Sequence, residues 1–342
     1  MLTVEVLAQR DLDAAASHAL DLYAMRMAAE QRGRAGLRVY ALAGDVVSLG
    51  RYHLAPPAHA ATRVGLHRRL SGGRVVPLGP GFAVLSLTLP HRSALVADDP
   101  LALRPEQTLN RCTRAVLAGL RGLGVDAFYP GRDRITLDRR LLGIVGLESD
   151  SQGVTRFEAV LAIDGEWLSV PRRLAEVDRQ GGIAAEILDA GQVTTLAAHG
   201  VRPSIDELAH CIAASYAQQF GLELAAGEVP AEPPGAVSEA AAWVASRRPR
   251  SELDRHAVGW GQLGVIEVHL AVHAGTIADV MVSGDFIADS PSIAVLEQRL
   301  RGCALTRAAL GAVVDAVYAE PRSFLLGIGP LSTLVDTILR AA

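Results

Sequence analysis

The stretch Leu66-His-Arg-Arg-Leu-Ser-Gly-Gly-Arg-Val-Val-Pro-Leu-Gly-Pro-Gly81 sets two arginines, a serine and two adjacent glycines directly before the apolar run Phe82 to Leu89. Gly72-Gly73 can take up positive φ and lets a ligand approach the backbone closely. Arg68 and Arg69 bring fixed positive charge and forked donors that suit carboxylate or phosphate. That is the make-up of an anion-cradling loop. An ordinary turn can have the same composition, so the reading depends on what surrounds the loop.

Upstream, Leu12, Ala16, Leu20, Tyr23 and Met27 recur at helical spacing, with Asp11 or Asp13 available as a cap. Leu37–Leu42 alternates as a strand, and Asp45–His53 reads as a second strand that ends in a Gly-Arg turn. Downstream, Ala83–Leu89 is a strand. Pro105–Leu123 is a helix that turns Leu109, Cys112, Val116, Leu117 and Leu120 inward. Phe128–Leu137 is a turn feeding a strand, and Asp138–Gly146 is a tight connection into another. Arg156–Ile163 is expected as the antiparallel partner of that segment. From Trp167 to His199 only short helices and loops are expected, followed by an amphipathic helix over Asp206–Phe220.

Gly227–Gly235 is rich in proline and glycine and reads as a linker. Beyond it, Leu263–His273 and Thr276–Val282 alternate around Ala274-Gly275 as a hairpin. A helix follows with Ser290 as cap, Pro291 at its first position, Ile293, Leu296 and Leu300 inward, and Gly302 as its stop. The expected organisation is residues 1–226 as one domain, 227–237 as linker and 238–342 as a small α+β domain.

With 342 residues, half of them apolar and 20% charged, the chain can bury a sizeable core. A net charge of −4 argues against a dedicated nucleic-acid partner. No run reaches the about 18 uninterrupted apolar residues that a membrane helix needs. The stretch from Met1 to Leu7 lacks the order of a secretory signal, and Cys112, Cys211 and Cys303 form no metal spacing, so a cytoplasmic setting is expected. His67, His269 and His273 show no metal-ligand grouping, and His269 and His273 are expected on the solvent side of a strand. His53, after the Gly-Arg-Tyr turn, is either structural or turned to the ligand. All 33 basic residues are arginine, and asparagine occurs once, at Asn110. GC-rich codon usage accounts for both. The consequence is chemical: no lysine here can serve as catalyst, Schiff base or acyl acceptor.

Several segments together resemble the lipoate–protein ligase family, relatives of the biotin ligases. Val47-Ser-Leu-Gly-Arg-Tyr52 is similar to the family's strand and turn before the ligand site. Arg68-Arg-Leu-Ser-Gly-Gly73 resembles its Arg-Arg-x-Ser-Gly-Gly-Gly signature, with Gly81 at the later glycine. Gly131-Arg-Asp-Arg-Ile135 stands where the family has Gly-x-Asn-Asp and an aliphatic residue. Arg140-Leu-Leu-Gly143 stands at its Lys-aliphatic-x-Gly, and Val193-Thr-Thr-Leu196 at a Val-Thr-Asn-Leu segment. Residues 259–302 resemble the accessory domain. The resemblance implies an α+β fold: a biotin/lipoate-ligase-like catalytic domain with mixed sheet and flanking helices, plus a small α+β accessory domain.

It also implies a reaction. Lipoate or octanoate is activated by ATP, with Mg²⁺, as an acyl-adenylate and passed to a lysine of a lipoyl-acceptor domain. The ligand-binding residues carried over are Arg69, Ser71, Gly72, Gly73, Arg74, Val75, Val76, Pro77, Asp133 and Arg140, with Arg140 in the catalytic position. Four positions depart from the pattern. Arg74 replaces the third glycine, Leu78 a histidine, Asp133-Arg134 (or Arg132-Asp133, if the register slips by one) the Asn-Asp pair, and Arg140 the lysine. Arg74 is strained if its position needs positive φ; otherwise its side chain fills part of the pocket or adds a cation. Two alternatives follow: a non-catalytic paralogue that binds an acyl ligand, nucleotide or lipoyl domain, and an octanoyl or lipoyl transferase that would need an activated cysteine.

Overall fold

A computed structural model describes residues 2–55, 65–168, 190–228, 236–247 and 252–342. The strands of the first unit are β1 (Thr3–Leu12), β2 (Arg34–Leu42), β3 (Val46–Leu49), β4 (Gly65–Arg68), β5 (Val76–Leu78), β6 (Phe82–Leu89), β7 (Arg134–Leu137), β8 (Arg140–Ser149), β9 (Thr155–Ala162) and β10 (Glu223–Ala226). Seven of them form one mixed sheet in the order β10-β1-β2-β6-β9-β8-β7, and β4-β3-β5 form a small second sheet. β1 runs parallel to β2 and β10, while β6, β7, β8 and β9 pair antiparallel.

Alternation along the strands gives the large sheet two different faces. Phe157, Ala159 and Leu161 of β9 join Leu37, Val39, Leu85 and Leu87 in an apolar core. The helices α2 (Pro105–Gly122) and α3 (Ile205–Phe220) close that core with Leu109, Cys112, Val116, Leu208, Ile212 and Tyr216. The opposite face carries Val84, Ile144 and Val160 at one end, packed on Val76 and Leu78 of the small sheet. Its middle carries Arg156, Glu158, Ser86 and Thr88, all buried.

α1 (Ala14–Glu30) covers this polar band, and its buried residues are Ser17, His18, Ala19, Leu20, Asp21 and Ala28. Of the apolar stripe read from Leu12 to Met27 only Leu20 is buried, because the buried face is turned so that Asp21 reaches Arg38 and Arg156. Leu12 ends β1, a strand the sequence reading passed over, and Asp13 caps the helix by accepting from Ala15 and Ala16. The second strand is shorter than expected, Val46–Leu49, since the chain turns at Gly50 to Tyr52. Most of the expected linker and of the weakly patterned segment after Trp167 lie outside the described residues.

α4 (Ala236–Ala245) packs on α1, where Trp243 stacks on His18, lies under the Arg51 guanidinium and donates to Arg68 O. The C-terminal unit follows: an antiparallel sheet of β11 (Arg255–Trp260), β12 (Val265–His273) and β13 (Thr276–Gly284), then the two-stranded pair β14 (Ile287–Ala288) and β15 (Leu325–Leu326). One face of the three-stranded sheet is backed by α5 (Ser290–Leu300), α6 (Arg307–Tyr318) and α7 (Ser332–Ala341). The Ala274-Gly275 hairpin forms as expected, both residues at positive φ. The α5 cap is Asp289, which accepts from Ser292 N–H, so Ser290 is already helical.

The C-terminal unit rests on the loop of residues 66–81. Tyr52, stacked on Phe286, donates to Glu148 Oε2 at 2.9 Å and to Ala288 O at 3.0 Å, and Ser290 N–H donates to Glu148 Oε1 at 3.0 Å. His53 is buried with Nε2 at 2.9 Å from Asp285 Oδ1, so it is a structural residue of this interface. Burial pushes the Glu148 carboxyl up to about 7, against the pull of Arg51 and of the Ser290 and Tyr52 donors. A carboxyl held above its ordinary value favours the folded state at low pH and loses that contribution as pH rises through about 7. The loss amounts to at most about 3 kcal/mol. Wild type should lose stability relative to Glu148→Gln between pH 5 and 8 in thermal denaturation. Identical pH slopes for the two proteins would exclude Glu148 as the titrating group.

Candidate functional site

The loop of residues 66–81 leaves β4, crosses β8 and returns through β5. Its arginines serve its own geometry. Arg68 is buried and donates to the carbonyls of Gly50, Arg51, His53 and Val244. Arg69 is buried as well; it donates to Ser48 O at 3.1 Å and to Arg74 O at 2.7 Å. Ser71 N–H donates to Glu158 Oε2 at 3.2 Å, and Gly73 N–H to Phe286 O at 2.8 Å. Gly73 has φ +103°, as the sequence suggested, and a Cβ on Gly72 would sit 2.5 Å from Phe286 O. The backbone beneath is equally tight: a Cβ on Gly146 would lie 2.7 Å from Gly72 O.

Arg74 does not take positive φ, so of the two alternatives the strained one does not apply. Its side chain instead enters a buried ion pair, Nε to Asp133 Oδ2 at 2.6 Å, with Asp133 fully buried. Burial raises the Asp133 carboxyl while the Arg74 charge and hydrogen bond lower it; the net direction is upward. The turn that delivers Asp133 has Gly131 and Arg132 at positive φ, and Val145 N–H donates to Asp133 O at 2.8 Å. Leu78, in place of a histidine, is a core residue with Val46, Tyr40 and Phe82. Val76 is buried in the same cluster, Pro77 pairs across to Val47, and Val75 is half-buried between them and Arg74.

Arg69, Ser71, Gly72, Gly73, Arg74 and Asp133 therefore converge on the Val145-Gly146 segment of β8. Arg140 does not join them directly. It opens β8 after a turn whose Asp138 and Arg139 are both left-handed, φ 50° and 63°. From there to Val145 is five strand residues, about 17 Å. Arg140 is half-buried, and its side chain makes no hydrogen bond or ion pair to another described residue.

The sequence reading missed the floor under the loop. Arg156 Nη2 bridges Asp21 Oδ2 at 2.7 Å and Glu158 Oε1 at 2.9 Å, and Arg38 pairs with the other oxygen of Asp21. Burial would raise Glu158, but the Arg156 and Arg69 charges and the Ser71 donor pull it down to about 2. Ser86 and Gly146 flank Glu158 in the sheet, and Thr88 and Glu148 flank Arg156. Among the described residues, Ser71 Oγ, Ser86 Oγ, Thr88 Oγ1, His67 Nε2 and the Arg156 Nε and Nη1 atoms are buried without a hydrogen-bond partner. A polar ligand or water is the ordinary way to satisfy such groups. The available signal was charge inside apolar strands, at Arg38 and at Arg156-Phe-Glu158.

Residues 13–217 match the family model described as the lipoyl protein ligase A/B catalytic domain. The chain belongs to that family. Residues 260–322 match the bacterial lipoate protein ligase C-terminus. No match to a curated protein sequence was found. P. falciparum LipL1, solved in complex with lipoate, superposes with TM-score 0.71 at 11% identity over 98% of this chain and 99% of that one. The T. acidophilum bi-partite lipoate protein ligase, solved with its E2 lipoyl domain, gives 0.55 at 16% identity over 73% and 100%. Lipoate-protein ligase A bound with ATP gives 0.50 at 16% over 70% and 92%. At these identities the likeness is one of fold, and it includes the C-terminal unit of LipL1.

Within this lipoyl ligase fold the residues do not fit Mg²⁺ at the Asn-Asp position. Asp133 Oδ2 is paired with Arg74, which leaves Oδ1 buried without a hydrogen-bond partner among the described residues, and the family's second carboxylate position holds the cation Arg134. The cysteines do not fit a thioester either: burial pushes Cys112 up to about 12 in the α2 core, Cys211 is on α3, and Cys303 is in the C-terminal unit. Among the described residues, no helix is long and apolar enough to cross a membrane. Arg74→Gly, which restores the family's third glycine, strips Asp133 of its partner and should cost about 3–5 kcal/mol, read as a fall in Tm. Arg74→Gly/Asp133→Asn should recover most of that loss. A neutral single substitution would show that the pair does not hold the loop.

Proposed function

We propose that the chain is a lipoate-ligase-type enzyme: it activates lipoate, octanoate or a similar acid with ATP and passes the acyl group to a lysine of a lipoyl-acceptor domain. The observation that carries this reading is the layout of β8. One strand begins at Arg140, a cation with no partner among the described residues, and, about 17 Å on, supports the glycine loop over polar atoms that are likewise unpartnered among the described residues. That interval has the length of an acyl-adenylate rather than of a single anion.

In the first step a carboxylate oxygen bonds to the α-phosphorus of ATP while the bond to the pyrophosphate oxygen breaks. Arg140 offers charge and a forked donor to the phosphoryl oxygens that gain charge. In the second step the acceptor lysine, as free amine, bonds to the acyl carbon and AMP leaves. The lysine has to come from a partner, because this chain has none. No step is assigned to Mg²⁺. The neighbours solved with lipoate, with ATP and with an E2 lipoyl domain support this choice of ligands and acceptor. Three unpaired cysteines agree with a cytoplasmic setting.

A specific observation favours a second reading, binding without turnover. Arg68, Arg69, Ser71 N–H and Gly73 N–H all donate to protein acceptors, and Arg74 pairs with Asp133 Oδ2. ATP–pyrophosphate exchange with lipoate and octanoate, alongside calorimetric binding of both acids, separates the two. Exchange by wild type, reduced about 10²–10³-fold in Arg140→Ala, is the expected result. Acid binding without exchange in either wild type or Arg140→Lys would replace the ligase reading by the second. Neither binding nor exchange would end both.

A further inference from the structure

The three-stranded sheet of the C-terminal unit turns one face to its helices and the other away from them. On the outer face, β11 places His256 directly across from His269 of β12, and the two imidazoles stack with centroids 4.3 Å apart. Glu267 is two residues before His269 and so shares that face. One ligand atom each from His256, Glu267 and His269 lies within 4.8 Å of the other two.

We propose that His256, Glu267 and His269 form a binding site for a divalent cation of the zinc class, clamping the edge strand β11 to β12. Two imidazoles and a carboxylate are a donor set for zinc and its borderline neighbours rather than for magnesium or calcium, which take all-oxygen shells. Bonds of about 2.0–2.1 Å put tetrahedral ligand atoms about 3.4 Å apart, so side-chain rotation of about an ångström closes the site.

The surroundings are those of a ligand set. His269 Nε2 is buried and without a hydrogen-bond partner among the described residues. Glu267 is buried, and Ser283 of β13 donates to its Oε2 at 3.3 Å, the kind of outer hydrogen bond that orients a metal ligand. His256 is exposed, which leaves entry and the remaining coordination positions to water. The site shares no residue with loop 66–81 or Arg140, and the proposal does not depend on the activity proposed above.

The test is zinc binding by the full chain after chelator treatment, read by calorimetry, with Co²⁺ absorption as a second readout. The expected result is one Zn²⁺ per chain, a rise in Tm with zinc, and a visible Co²⁺ band. His256→Ala, at an exposed position that leaves the fold intact, should weaken binding at least tenfold and abolish the Tm rise. His269→Ala should do the same, and His273→Ala should bind as wild type does. Failure of wild type to bind stoichiometric zinc, or binding unchanged in His256→Ala, overturns the proposal.

Discussion

The Arg156 guanidinium, buried between Asp21 and Glu158, is the interaction on which the loop depends. Glu158 holds Ser71 N–H, Ser71 O receives Arg51 N–H, and Arg51 leads into the Tyr52 contact with the C-terminal unit. Asp21 is also the reason α1 buries a polar face. A buried charge survives only when paired and hydrogen-bonded. The network therefore fixes the helix, the strand and the loop together, and substituting one member would expose the others.

Two buried glutamates on adjacent strands show how local this control is. Glu158, between two arginines, is held far below its ordinary value; Glu148, with Arg51 no nearer than 3.7 Å, is pushed above it. Both are fully desolvated, so the difference lies in the cations. Glu158 thus favours the folded state except in strong acid, whereas Glu148, at the contact between the units, works the other way near neutrality. The glycine loop lies between a rigid anchor and a pH-sensitive cover.

Much of this was legible in the sequence. The loop, the Pro105 helix, the β8–β9 pairing and the Ala274-Gly275 hairpin are encoded by short-range patterns, and the ordered motifs identified the family. The N-terminal strand was not legible because Thr3–Leu12 carries polar residues on a half-exposed strand, which blurs alternation. The polar floor was missed for a different reason. Arg38, Asp21, Arg156 and Glu158 are scattered in sequence and acquire meaning only when β2, β9 and α1 meet. His256 pairs with His269 through strand register, which no spacing rule reveals. The departures from the motif were visible, but not their outcome: Arg74 and Asp133 complement each other, a relation 59 residues apart.

The absence of lysine looks at first like codon drift alone, yet the structure separates positions where arginine is required from one where it is not. Arg68 grips Val244 O through Nε and Nη2 while Nη1 reaches the carbonyls of Gly50, Arg51 and His53, and Arg69 joins Ser48 O of β3 to Arg74 O of the loop. An ammonium has no planar fork with which to do either. Arg156 likewise joins two carboxylates from different elements. Arg140 shows no such geometry, since its side chain engages no other described residue. Arginine is structural in the loop and its floor, whereas Arg140 has no such structural role among the described residues. A change from lysine to arginine keeps the charge at that position and alters only bulk and planarity.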